Sequence, residues 1–142
     1  MNKTVLALLL ASVLSLFAVD GRAQTPTIEQ SLDLKSVGGP RISPDGRYVA
    51  YQVQKTNWEE NAFETEIWMA VTATGECYRL TNAKKSSTNP LWSRDSKRLA
   101  FVSDRDGKRQ IYLIAPNGGE AVQLTSVETG VSTLSWSPDG RR

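Results

Sequence analysis

Histidine is missing from the sequence altogether, and cysteine occurs once, at Cys77. Without histidine no Ser-His-Asp relay can be assembled from this chain, so no catalytic residue is assigned to it. A single cysteine excludes an intrachain disulfide. Cys77 also lacks the neighbours that a metal site or a nucleophile would need, and it is expected to be a small, half-buried filler at the start of a strand. No paired carboxylates stand at calcium-loop spacing, so neither a metal nor another cofactor is expected. Charge of one sign is scarce too: 17 Lys and Arg against 15 Asp and Glu give a net charge of +2, which names no partner. The local surplus of base between Lys84 and Arg109 falls at turns and strand edges, where charge keeps sheets from pairing with other chains. Nucleic acid is therefore not an expected partner.

Long apolar runs are equally rare. The one present, Val5 to Val19, is too short to span a bilayer comfortably. Lys3 before it and Gly21-Arg22-Ala23 after it, with small residues at the two positions a signal peptidase reads, make residues 1–23 an export signal cleaved before Gln24. The expected location is periplasmic or secreted, with no membrane span after cleavage.

What the chain does have is a repeated unit. Leu91 to Thr125 consists of short runs rich in branched and aromatic residues, broken at Ser93-Arg94-Asp95-Ser96, Asp104-Arg105-Asp106-Gly107 and Asn117-Gly118-Gly119. That is the signature of antiparallel strands joined by tight turns, here four: Pro90 to Trp92, Arg98 to Ser103, Gln110 to Ala115 and Glu120 to Thr125. The turn Ser43-Pro44-Asp45-Gly46-Arg47 recurs at Ser93-Arg94-Asp95-Ser96-Lys97 and at Ser137-Pro138-Asp139-Gly140-Arg141, 50 and then 44 residues on. Ile67-Trp68 likewise answers Ile111-Tyr112, and Leu80-Thr81 answers Leu124-Thr125, both 44 residues on. A period in the forties with four strands per repeat implies an all-β fold of β-propeller blades. Leu99 to Val102 and Ile111 to Ile114 are unbroken apolar runs, as expected of strands covered on both faces.

The expected division is a lead at 24–39 containing one helical turn, a blade at 40–89, a blade at 90–133 and the start of a third at 134–142. Gly38-Gly39-Pro40 is expected to break the lead from the first strand. The first blade carries extra residues around Asn57 to Phe63, expected as a longer hairpin loop between its second strand, Arg47 to Gln54, and its third, Glu66 to Val71. The turn itself needs no chemistry: proline fixes φ, aspartate bonds the backbone ahead of it, and glycine tolerates the last position. Because the middle copy keeps only Asp95 of these three, the aspartate is expected to matter most. Trp92 and Trp136 share one repeat position and Trp68 shares another with Tyr112, so these three are assigned to blade cores. Trp58, in the variable loop, is left as a candidate contact residue. Two blades and a fraction form an incomplete ring, so the sequence is expected to be truncated. Nothing in the pattern specifies an oligomeric state.

Ile42-Ser-Pro-Asp-Gly-Arg-Tyr-Val-Ala-Tyr51, the hairpin ending Glu66-Ile67-Trp68, Tyr78-Arg79-Leu80-Thr81, Trp92-Ser93 and Trp136-Ser137-Pro138-Asp139-Gly140 resemble the opening blades of the propeller in secreted serine peptidases of the prolyl oligopeptidase family. The dipeptidyl-peptidase and acylaminoacyl-peptidase branch is the nearest type, and the resemblance runs from about residue 32 to the end. It implies a propeller that gates access of peptide substrates to an α/β-hydrolase domain absent from this chain, whose Gly-x-Ser-x-Gly elbow has no counterpart here. It also implies a role for Glu59 and Glu60, since that branch holds the substrate's free amine with a glutamate pair from a propeller insertion. The alternative is a non-enzymatic periplasmic binding propeller, because the propeller protein of the Tol system carries similar Trp-Ser-Pro-Asp-Gly turns.

Overall fold

The computed structural model describes residues 25–137, so the export signal and the third Pro-Asp-Gly turn lie outside the described residues. A short helix, α1 (Ile28–Leu32), precedes eight strands: β1 (Ser36–Ile42), β2 (Tyr48–Asn57), β3 (Ala62–Val71), β4 (Cys77–Arg79), β5 (Ser87–Trp92), β6 (Leu99–Ser103), β7 (Gln110–Ile114) and β8 (Val122–Gln123). They form two four-stranded antiparallel meanders, β1-β2-β3-β4 and β5-β6-β7-β8. The helix is held by a capping box in which Thr27 Oγ1 accepts from the Gln30 amide while the Gln30 side chain accepts from the Thr27 amide.

The two sheets stack as adjacent blades. Paired residues share a sheet face, so the registers Ala50↔Met69 and Gln52↔Ile67 put Ala50, Ile67 and Met69 on one face of the first sheet. Leu99↔Ile114 and Phe101↔Tyr112 set the opposing face of the second sheet. These residues, with Leu80 and Trp92, are the buried core. Every residue of β6 is buried, as its unbroken apolar run requires. In contrast, β2 is mostly half-buried, because its other face, carrying Tyr51 and Val53, meets no second sheet among the described residues. Trp68 lies on that uncovered face opposite Tyr51 and is only half-buried.

The repeated motifs have repeated bonds. In the first turn Ser43 Oγ donates to Asp45 Oδ1 at 2.6 Å, Asp45 Oδ1 accepts from the Arg47 amide at 3.1 Å, and Ser43 Oγ accepts from the Tyr48 amide at 3.0 Å. The second turn repeats all three at the same lengths, with Ser93, Asp95, Lys97 and Arg98. Both aspartates are held below the usual carboxylate range, first by the serine hydroxyl and then by the backbone amide. A carboxyl whose folded pKa is depressed contributes stability above its unfolded value, near 3.9, and loses it as pH falls through the folded value. Stability is therefore expected to drop as pH falls below about 5, and the double variant Asp45→Asn, Asp95→Asn, which keeps the acceptor oxygens without the charge, should flatten that slope in a pH series of urea melts.

The Leu-Thr repeat has a similar explanation. Thr81 Oγ1 accepts from the Ile67 amide and Thr125 Oγ1 from the Ile111 amide, each at 2.9 Å, so in each blade one hydroxyl takes up the third-strand amide just where pairing with the fourth strand ends. Thr81 is 2% exposed. Thr81→Val leaves the Ile67 amide unpaired in the core and is expected to cost about 1–3 kcal/mol, whereas Thr81→Ser retains the acceptor and should cost less; urea unfolding of the two variants checks this.

Several expectations are corrected. Strand β1 begins at Ser36, inside the expected lead, and β5 at Ser87, ahead of Pro90. Gly38-Gly39-Pro40 does not break the chain but forms a bulge within the β1–β2 pairing, matched by a bulge between Thr88 and Leu91. The extra residues of the first blade are not a long loop. They lengthen β2 and β3 to ten residues each, against five for β6 and β7, and pairing continues out to Asn57↔Ala62. Cys77 does open β4 as expected, yet it is exposed rather than half-buried.

Candidate functional site

The lengthened hairpin carries the residues singled out in the sequence. Beyond the apolar part of the blade its cross-strand partners become polar: Lys55 faces Glu64, and Lys55 Nζ lies 3.5 Å from both Glu64 Oε2 and Glu66 Oε1. Arg79 on β4 approaches Glu66 at 3.4 Å. These pairs allow an exposed rim segment to stay in register without a covered apolar face. Asn57 shapes the tip. Its Oδ1 accepts from the amides of Glu59 and Glu60 at 3.1 Å each, its Nδ2 donates to Glu64 Oε1 at 2.5 Å, and Asn61 closes the turn with φ of 46°.

The tip does not hold its three candidate residues in one constellation. Trp58 is 51% exposed, but its Nε1 donates to Asp33 Oδ1 at 2.6 Å, tying the hairpin to the lead. Thr56 reinforces this by donating from Oγ1 to the Leu32 carbonyl. Glu60 is paired with Lys85 on the β4–β5 connection, Oε2 to Nζ 2.5 Å, and that hydrogen bond raises the lysine's pKa. Glu59 has no ion pair among the described residues. Together with Lys55, Asn57, Glu60, Glu64 and Arg79 it lines an open cleft of about 440 Å³. Four carboxylates and several cations share this cleft, an arrangement that can bind an ammonium or a peptide end but holds no nucleophile and base. Among the described residues no group of His, Cys, Asp and Glu could hold a metal, and no helix is long and apolar enough to cross a membrane.

Several residues that shape this rim gave no sign in the sequence. Asp33 and Lys85 each lie 25 residues from the tip residue they bind, a spacing that no local pattern marks. Arg105, grouped with the solubilising charges, instead stacks over the rings of Phe101 and Tyr112, 5.3 and 4.7 Å from their centroids, and donates to Ser103 and Ser87. A second, smaller cleft of about 270 Å³ lies between the first strands of the two blades, lined by Gly39, Arg41, Gln52, Asn89, Leu91 and Thr133 among others.

The PD40 family, described as the TolB β-propeller domain, matches residues 12–142. Among curated proteins the chain is 41% identical over 115 residues to an uncharacterised peptidase, YuxL, of Bacillus subtilis, covering 80% of this chain and 18% of that protein. It is 27% identical over 154 residues to dipeptidyl-peptidase 5 of Porphyromonas endodontalis, covering 100% and 22% respectively. It is also 30% identical over 116 residues to a TolB homologue of Chlorobium chlorochromatii, covering 81% and 24%. The chain thus spans about a fifth of the length of these relatives. Among solved structures, an acylaminoacyl peptidase in complex with Z-Gly-Gly-Phe-chloromethyl ketone superposes with a TM-score of 0.65 at 22% identity, over 78% of this chain and 17% of that one. At that identity the likeness establishes the fold.

Proposed function

Because the chain belongs to the PD40 family of TolB β-propeller domains, we propose that it is the N-terminal propeller of an exported serine peptidase of the prolyl oligopeptidase family. The observation that carries this reading is the similarity to proteins named as peptidases, 41% identity to YuxL over most of the chain against 30% to the TolB homologue. In this reading the blades bind and gate, and the peptide bond is broken in an α/β-hydrolase domain elsewhere in the parent protein. The substrates are short peptides entering by the propeller rim. The signal segment 1–23 directs the parent to the periplasm or the exterior, where such peptides are met.

The rim cleft suits the amine of a peptide N-terminus. Glu59 offers a carboxylate that is in no ion pair among the described residues, whereas Glu60 must first give up Lys85. Trp58 fixes the tip through Asp33, and the exposed part of its ring is available to a substrate side chain. The test is kinetic, on the parent protein: Glu59→Gln with Glu60→Gln should raise KM for peptides with a free N-terminal amine and leave N-acetylated peptides unaffected. Unchanged kinetics on both substrates would remove the glutamates from the site. Absence of any peptidase activity would remove the reading itself.

A further inference from the structure

The smaller cleft has a built origin in the repeat. At the same repeat position the two first strands each place a residue in the left-handed region, Gly39 with φ of 60° and Asn89 with φ of 55°. Each sits in the bulge that interrupts pairing with the second strand. Bulges of this kind re-aim side chains and leave backbone unpaired. The equivalent residue of the third repeat is Thr133, and it too lines the cleft. Three successive repeats therefore converge there with the same repeat position.

The groups they bring are hydrogen-bond donors. Arg41, exposed and without an ion pair among the described residues, supplies the only formal charge among the lining residues. Gln52 is fixed between the two bulges: its Oε1 accepts from the Asn89 amide at 3.1 Å, which leaves its Nε2 with donor capacity. That amide group lies against Gly39, where an added Cβ would come within 2.4 Å of Gln52 Nε2, so a larger residue there would push the carboxamide aside. Asn89 and Thr133 contribute a carboxamide and a hydroxyl. No carboxylate lines the cleft.

We propose that this cleft binds the C-terminal carboxylate of a short peptide, with the Arg41 guanidinium as the principal contact. A guanidinium fork matches a carboxylate in a two-bond pair that an amide cannot form, and the surrounding neutral donors suit the last peptide carbonyl. Size favours a chain end over a whole ligand, since the volume falls below the roughly 300–1,000 Å³ of sites that enclose drug-sized molecules. The proposal does not need the peptidase reading, because it concerns binding to this chain alone. If both hold, the site selects peptides with a free C-terminus.

The test is a calorimetric or NMR titration of the full chain with N-acetyl-Ala-Ala as the free acid and, separately, as its C-terminal amide, with no turnover measured. The acid should bind and the amide should bind at least roughly tenfold more weakly. Arg41→Gln should weaken the acid by roughly 10- to 100-fold, the range for one charged hydrogen-bonding partner. Arg41→Lys should fall between, and Lys108→Gln, at an exposed turn residue away from the cleft, should change nothing. Circular dichroism and the Trp92 indole signal, whose Nε1 donates to the Arg41 carbonyl at 2.8 Å, report that the variants keep the fold. Equal binding of acid and amide, no binding of the acid, or full binding by Arg41→Gln would each overturn the proposal. Inorganic phosphate that displaces the acid at equal concentration would also overturn it, in favour of an unselective anion site.

Discussion

Replacing Phe101 by alanine is expected to destabilise the chain by about 3–5 kcal/mol, the range for removing a fully buried aromatic ring. Phe101 is 0% exposed, stacks on Tyr112 with centroids 5.8 Å apart, and lies under the Arg105 guanidinium. The substitution removes transfer energy and opens a cavity that the flanking sheets cannot close, because Ala50, Ile67 and Met69 of the first blade are themselves held by paired strands. Arg105 also loses one of its two aromatic supports. Phe101→Leu, which refills most of the volume, should recover a large part of the loss. Val122→Ala, at a residue 65% exposed, should fall within about 0.5 kcal/mol of the parent chain. Urea unfolding read by far-ultraviolet circular dichroism measures all three.

Trp92→Ala is expected to cost a similar amount, about 3–5 kcal/mol, but through a bond as well as a surface. Trp92 is 7% exposed and stacks with Tyr48 at 6.1 Å, while its Nε1 donates to the Arg41 carbonyl of the preceding blade. Trp136, the equivalent residue of the next repeat, donates to the Leu91 carbonyl at 3.3 Å. The tryptophans of the second and third repeats thus each bond back to the first strand of the repeat before. Trp92→Phe separates the two contributions. It keeps most of the ring and loses only the donor, so it should cost about 0.5–1.5 kcal/mol plus the smaller ring's lost packing. A phenylalanine variant as destabilised as the alanine variant would place the stabilisation in the hydrogen bond, against the packing argument. Phe101 and Trp92 share one core, so their effects should not add when combined.

The turn motif could be read from the sequence because it is local: serine, aspartate and the two bonded amides lie within six residues, and the same bonds reappear in both copies, whereas the Leu-Thr motif shows only as a repeat, its bond reaching back 14 residues. The apolar run of β6 reads correctly as a strand buried on both faces, but the equally unbroken run of β7 alternates buried with half-buried residues, because Ile111 and Leu113 lie on its less covered face. The bulge at Gly38-Gly39-Pro40 could not be read, since a positive φ inside a strand and a positive φ ending one call for the same residues. The far half of the hairpin was equally opaque. Lys55, Thr56, Glu64 and Thr65 carry no apolar alternation, and what keeps them paired is charge across the strands. In the candidate site, the insertion that carries Trp58, Glu59 and Glu60 is legible from the repeat lag, but nothing local marks the partners that Trp58 and Glu60 bind. The bonds to Asp33 and Lys85 exist only once the lead and the β4–β5 connection have folded beside the hairpin. Ser96 stands at the glycine position of the turn. It does take a left-handed φ of 58°, yet its Oγ also accepts from the Asp45 amide of the neighbouring blade at 3.0 Å, a link that spans 51 residues.

The central claim, that these blades belong to a serine peptidase, is tested most directly by isolating the native parent protein and treating it with a fluorophosphonate probe, with mass spectrometry of the labelled product. The expected result is a single labelled serine, in a Gly-x-Ser-x-Gly sequence outside the residues described here, on a protein that carries this propeller at its N-terminus and cleaves short peptides in preference to folded proteins. A parent that takes no label and ends after its last blade would contradict the claim and leave the binding propeller as the reading that stands.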